Sequence, residues 1–259
     1  MLAVHHLNNS RSQRVLWLLE ELGVPYEIVR YQRQPDMRAP AELLAIHPLG
    51  KSPVITDNGN AVAESGAIVD YIVETYGEGR LIPPAETPER LRYTYWLHYA
   101  EGSAMPPMLL KLLFTLMPKR APALLRPLVR KISNQALTAL VNPQLKQHMA
   151  YWESELGKST WFAGKEFTAA DIQMSFPLEA ALARAGLDQG HPRAMAFLDR
   201  THTRPAYVRA LEKGGPYTVG RRPRPTIVHA VIGQATSFLT RVSSVGFLER
   251  FSSEACPRT

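Results

Sequence analysis

The sequence predicts an α/β domain followed by an all-helical domain. Three observations carry this. A strand–helix–strand pattern occupies residues 2–31, and a strand–turn–strand–helix pattern occupies residues 53–76. Beyond residue 88 the apolar spacing turns helical, and no convincing strand appears for more than a hundred residues.

Residues 2–7, LAVHHL, read as the first strand. Its neighbouring histidines, His5 and His6, point to opposite faces of a strand and cannot chelate one metal ion. Residues 8–13 are a polar break. Val15, Leu18, Leu19 and Leu22 then give the stripe of a helix packed on one side. Gly23 stops that helix, and Pro25 prevents its continuation. Residues 26–31 read as a second strand, so the unit is βαβ with a parallel pair. Residues 40–47 read as a short helix, with Pro40 tolerated in its first turn. Pro53 lacks an N–H and suits the first residue of the strand that holds Val54 and Ile55. Asp57-Asn58-Gly59-Asn60 is turn chemistry, and Ala61-Val62-Ala63 is the return strand. Glu64-Ser65-Gly66 opens a helix through Ile68, Tyr71 and Ile72, where Ser65 is a candidate cap. Gly77 closes it. Residues 77–87, rich in Gly and Pro, read as a linker. The first 80 residues fit a thioredoxin-like arrangement, a ββα unit added to a βαβ unit.

The second domain spans 88–217. Thr87-Pro88-Glu89 starts a helix whose apolar face includes Tyr93, Trp96, Leu97 and Tyr99. Residues 105–132 mix apolar and basic side chains and contain five prolines. A membrane-surface helix is one reading. The prolines break any continuous amphipathic helix, so a helix end, a loop and a second helix lining an apolar cleft is the preferred one. Met105, Met108 and Phe114 are then candidates to line that cleft. Residues 135–156 read as one helix, kinked at Pro143, with contacts from Leu137, Leu140, Leu145, Met149, Trp152 and Leu156. Thr168 and Asp171 form a capping box, with Phe167 and Ile172 at the staple positions. Helices over 193–200 and 205–213 follow. Residues 218–259 extend beyond this domain as a basic, proline-containing tail, read as flexible.

Composition narrows the class. Hydrophobic residues make up 45% of the 259, a globular composition. No apolar run is long enough to span a bilayer, and the first residues do not read as a signal peptide. The one cysteine, Cys256, excludes intrachain disulfides and points to a reducing cytosol. The net charge is +7, of which the tail's six Arg and two Glu supply +4. The body is nearly balanced, so the charge is no argument for nucleic-acid binding.

The polar segment after the first strand lies where α/β folds place their chemistry, at a helix N-terminus beyond a strand's carboxyl end. A hydroxyl there, from Ser10 or Ser12, can donate to a bound thiolate, assisted by the helix dipole. Either serine can instead serve only as a cap. Together, SRSQRVLWLLEELGVPYE, GKSPV, AES and FTAADIQMSFPLEAA resemble the serine-type glutathione transferases of bacteria and fungi, over residues 1 to about 217. The resemblance implies glutathione as co-substrate and no metal. It implies Ser10 as the thiolate donor, through its spacing to Arg14, with Ser12 as the alternative. It also implies Ser52 beside a cis Pro53 for the cysteinyl backbone, Glu64 and Ser65 for the γ-glutamyl end, and Lys51 for the glycyl carboxylate. A homodimer follows from the resemblance alone. The expected reaction is conjugation of glutathione to a hydrophobic electrophile in the cytoplasm. Nucleic-acid partners are not expected, and membrane association is disfavoured. A glutathione-dependent peroxidase or disulfide reductase, or a non-catalytic binding protein of the same fold, are the rivals.

Overall fold

A computed structural model of the chain describes residues 1–34 and 40–219. Strand β1 (Ala3–Leu7), helix α1 (Ser12–Leu22) and strand β2 (Glu27–Tyr31) form the βαβ unit, with parallel pairing from Ala3–Glu27 to Leu7–Tyr31. Helix α1 ends at Gly23, whose φ of 67° is the left-handed conformation that glycine adopts without strain. Helix α2 (Ala41–Ile46) leads to strands β3 (Val54–Asp57) and β4 (Asn60–Ala63). Their turn places Asn58 and Gly59 at φ 49° and 83°, as a two-residue hairpin loop requires. The sheet order is β2-β1-β3-β4, and β3 runs antiparallel to β1. Helix α3 (Ser65–Tyr76) packs with α1 and the sheet. This is the thioredoxin-like arrangement.

The rest of the described chain is helical: α4 (Pro88–Tyr99), α5 (Met105–Arg120), α6 (Arg126–Ala136), α7 (Asn142–Glu155), α8 (Ala169–Arg184), α9 (Pro192–His202) and α10 (Pro205–Gly214). Helix α8 is buried along its first thirteen residues, Ala169 to Ala181, and forms the centre of this half. Its cap is the predicted one. The Asp171 carboxylate accepts the Thr168 N–H at 2.9 Å, the Thr168 hydroxyl at 3.0 Å and the Phe162 N–H at 2.8 Å. Helix α10 returns to α1, where Glu20 meets Arg209 and Lys213, and Glu21 meets Arg204.

The expected helix end, loop and second helix over 105–132 are present as the end of α5, residues 121–125 and α6, and the structure adds two details. Prolines 106 and 107 do not end a helix. They occupy the first turn of α5, directly after a π-helical turn at Ala100–Ala104 that carries the helix on from α4. The wider π turn re-phases the backbone, so the missing N–H groups do not interrupt the rod. The break comes later, at 121–125. Likewise residues 126–155 run continuously through a second π turn, Leu137–Val141, just before Pro143. That turn shifts the helical phase, leaving Leu140 53% exposed while Val141 is buried. The expected tail lies outside the described residues from 220 on. Thr218 and Val219, counted with it, are packed: Thr218 donates twice to Asn9 Oδ1, and Val219 is buried.

Candidate active site

A cleft of about 610 Å³ opens beside the carboxyl end of β1. It brings together Lys51, Ser52, Pro53, Glu64 and Ser65, which are the residues singled out along 51–65, and adds Arg11, Arg33 and Glu101. The Ser52–Pro53 peptide is cis. Ser52 Oγ donates to the His5 carbonyl at 3.1 Å and accepts from the Leu7 N–H at 3.4 Å, which ties the loop to β1.

Glu64 turns the chain from β4 into α3 with φ 68° and ψ 125°. A non-glycine residue held there stores about 1–3 kcal/mol of strain, as ligand clamps often do. Ser65 does not cap α3 through its side chain. Its hydroxyl instead accepts from Arg14 Nη2 at 3.2 Å and donates to Glu101 Oε1 at 3.4 Å. The first turn of α3 is therefore left without a side-chain cap, beside the cleft, where backbone N–H groups favour an anion.

Arg14 is buried beneath this floor. It donates to the Gln173 carbonyl at 2.6 Å and to Glu101 at 2.5 Å. Arg11 reaches the same Glu101 oxygen at 3.0 Å from the cleft wall. Both guanidinium groups lie about 5 Å from the Phe176 ring. Burial pushes the Glu101 carboxyl up, but Arg14 and Arg11 outweigh it and hold it below the ordinary glutamate value.

Ser10 and Ser12 lie behind the wall, 4% and 0% exposed. Their hydroxyls are 2.7 Å apart, and Ser10 Oγ also lies 3.2 Å from Ser52 Oγ in the cleft wall. Ser12 Oγ is 2.9 Å from His6 Nδ1. Burial and Arg30 lower the His6 pKa, favouring the neutral ring. When that ring accepts at Nδ1, the Ser12 proton is committed to it, so Ser10 is the donor in the 2.7 Å contact with Ser12, and a thiolate in the cleft would compete with Ser12 for that proton.

Met105 and Met108 belong to the core, 8% and 2% exposed, and do not line the cleft. Phe114 lines a separate hollow between α5 and α6. The apolar wall of the cleft is Leu44, Leu49 and Leu109. Helical phase did not reveal Leu109: it lies four positions after Met105, on nearly the same side of α5, yet Met105 is buried and Leu109 is 63% exposed. Glu101 had a weak signal: it is the one acid between Glu89 and Glu153. Among the described residues, no three His, Cys, Asp or Glu side chains gather as metal ligands would.

Known proteins match this chain along most of its length. The model described as "Glutathione S-transferase, N-terminal domain" matches residues 2–74, and "Glutathione S-transferase, C-terminal domain" matches residues 116–205. Glutathione S-transferase 3 of Schizosaccharomyces pombe is 39% identical over 70% of this chain and 74% of its own length. Glutathione S-transferase 1 of Saccharomyces cerevisiae is 31% identical over 82% of this chain and 95% of its own. A crystal structure of a glutathione S-transferase from Actinobacillus pleuropneumoniae superposes with a TM-score of 0.69 at 31% identity, covering 86% of this chain and 98% of that one. A sphingomonad glutathione S-transferase complexed with glutathione shares the fold, with a TM-score of 0.63 at 23% identity over 82% of this chain and 98% of that one.

Proposed function

Because this chain belongs to the glutathione S-transferase family, we propose how the cleft performs its reaction. The protein is an enzyme, a glutathione transferase with glutathione as co-substrate. Residues 1–80 bind glutathione, and Leu109 of the helical part joins Leu44 and Leu49 in the second substrate's wall. The convergence of Lys51, Ser52, Pro53, Glu64 and Ser65 on one cleft supports this reading. Glu64, Ser65 and the free first turn of α3 take the γ-glutamyl end. The backbone at Ser52–Pro53 pairs with the cysteinyl residue. Lys51 faces the glycyl carboxylate.

The thiol then lies at the Ser10–Ser52 corner. A free thiol with pKa near 8.5 is only a few per cent ionised at neutral pH. Lowering that pKa by two units takes about 2.7 kcal/mol of preferential thiolate stabilisation. A charge-assisted hydrogen bond from Ser10 and the α1 dipole are of that size. The thiolate attacks the electrophilic atom of an apolar substrate resting on Leu44, Leu49 and Leu109. Sulfur–carbon bond formation, with loss of a leaving group or protonation of the adduct, completes the conjugation. A homodimer and a cytoplasmic role in detoxification complete the proposal. Among the described residues no helix is long and apolar enough to cross a membrane.

The test is an ultraviolet difference spectrum of glutathione on the protein across pH. A thiolate signal persisting well below pH 8 is expected for an activated thiol. Saturable binding with the thiol still protonated there overturns the mechanism.

A further inference from the structure

The hairpin of α5 and α6 presents a surface that the glutathione cleft does not use. Between Glu101 and Glu153 the chain has no acidic side chain, yet it carries seven lysines and arginines, from Lys111 to Lys146. The same hairpin is rich in exposed apolar groups. Leu124 at its tip is 90% exposed, Leu128 58% and Ile132 55%. Of α6 only Ser133 is buried, so the helix rests on the body by one narrow edge. Leu113 and Met117, also exposed, continue the apolar surface along α5 toward Leu109 in the cleft wall. Between the two helices lies a hollow of about 480 Å³, lined by Lys119, Arg126, Arg130 and Asn134. Exposed leucines at a tip, flanked by cations and a basic hollow, combine apolar and cationic groups on one surface, as interaction sites do.

The charge selects among occupants. A second copy docked through a two-fold would set this all-basic face against itself. An acidic peptide satisfies the cations but gives the protruding Leu124 no partner. A bilayer with anionic lipids satisfies both, since leucines enter the acyl boundary while arginines and lysines meet phosphates. We propose that the α5–α6 hairpin docks this enzyme on an anionic lipid surface. Leu124, Leu125 and Leu128 enter the headgroup boundary, and Lys119, Arg126 and Arg130 hold lipid phosphates at the hollow. Prolines 106 and 107 do not prevent this, because they sit in the first turn of α5 after the π turn; the helix runs to Arg120, and Leu124 and Leu125 lie in the loop that follows.

The experiment is co-sedimentation of the full chain with vesicles of phosphatidylcholine alone and with about a third phosphatidylglycerol, at low and high salt. Binding to the anionic vesicles, weakened by salt, is expected. Each basic residue at the surface is worth about fivefold in partitioning, so R126E/R130E lowers it by about 25-fold or more. L124E/L128E abolishes it. Both variants alter exposed positions, so the melting temperature and glutathione affinity are expected to stay unchanged, which separates docking from folding. Unchanged vesicle binding in both variants overturns the proposal and moves the lipid contact elsewhere, such as the basic residues after 220. So does equal binding to neutral vesicles, or binding of inorganic phosphate with no vesicle binding. Loss of a dimer by L124E/L128E in light scattering, with no sedimentation of the native chain, assigns the face to self-association instead.

Discussion

Arg14, in the first helix, and Glu101, in the π turn after α4, meet at 2.5 Å although 87 positions separate them in sequence. Arg14 is 2% exposed, and its other bonds run to Gln173 in α8 and Ser65 in α3. One guanidinium thus ties three helices and the floor of the cleft together.

Removing it is costly. Arg14→Ala leaves Glu101 with Arg11 as its one cation and leaves the Gln173 carbonyl without its Arg14 donor. Deleting one partner of a buried pair costs about 3–5 kcal/mol, and the lower end applies because Glu101 keeps some contact with solvent. Urea denaturation measures this. Arg14→Lys recovers little, since one ammonium cannot span the acceptors of a planar fork.

Acid acts on the same pair. The folded protein holds the Glu101 carboxyl below its ordinary 4.5. Its contribution to stability is full above 4.5 and is lost as the pH falls through the folded value. Glu101→Gln therefore makes the acid limb of a melting-temperature profile shallower. It does not flatten it, because Glu20 and Glu155, where cations likewise outweigh burial, are also held low. An unaltered acid limb in Glu101→Gln contradicts the assignment.

Asp171 behaves oppositely. Burial pushes its carboxyl up to about 6, against the donors from Phe162 and Thr168. A raised carboxyl stabilises the fold at low pH, and that contribution fades as the pH rises from 3.8 through about 6. Asp171→Ala leaves two buried N–H groups unpaired and costs about 3 kcal/mol. Guanidinium denaturation at pH 7 reads the cost directly, with glutathione affinity per folded molecule unchanged.

The two serines separate in titration. Ser10→Ala raises the pKa of the bound glutathione thiol by about one to two units. Ser12→Ala, whose hydroxyl serves His6, leaves that pKa nearly in place. Thiolate absorbance against pH in both variants decides between them, and a shift only in Ser12→Ala reverses the roles.

Leu109 and Met108 are adjacent in sequence and differ in consequence. Leu109→Asp is expected to raise KM for apolar electrophiles about tenfold while KM for glutathione holds, because it replaces apolar contact in the cleft wall. Met108→Ala instead costs about 2–5 kcal/mol of stability, because its side chain fills the core. Steady-state kinetics and thermal melts together separate the two.

Much of this was legible locally. The βαβ unit, the Asn58-Gly59 turn, the Gly23 stop and the Thr168–Asp171 cap each depend on residues within a few positions of one another. Their physics is short-range: helical period, positive φ, and a side chain satisfying a nearby N–H. The candidate site residues along 51–65 came instead from the family resemblance, and in the structure that stretch supplies six residues of the cleft lining. Helical phase failed where a π turn inserted itself. That misplaced Leu140, while the break expected from the prolines falls at 121–125 and not at 106 and 107.

Sequence alone thus determined the layers, the Gly23 stop and the Thr168–Asp171 cap of this chain, and the resemblance supplied the candidate glutathione contacts. Only the tertiary structure decided which side chains share the cleft. It put Glu101 between Arg11 and Arg14, set Ser10 behind Ser52, and moved Met105 and Met108 into the core. The reason is physical. Periodicity fixes a side chain's face on its own helix, whereas the neighbour that face meets depends on how distant elements pack and which charges they must neutralise.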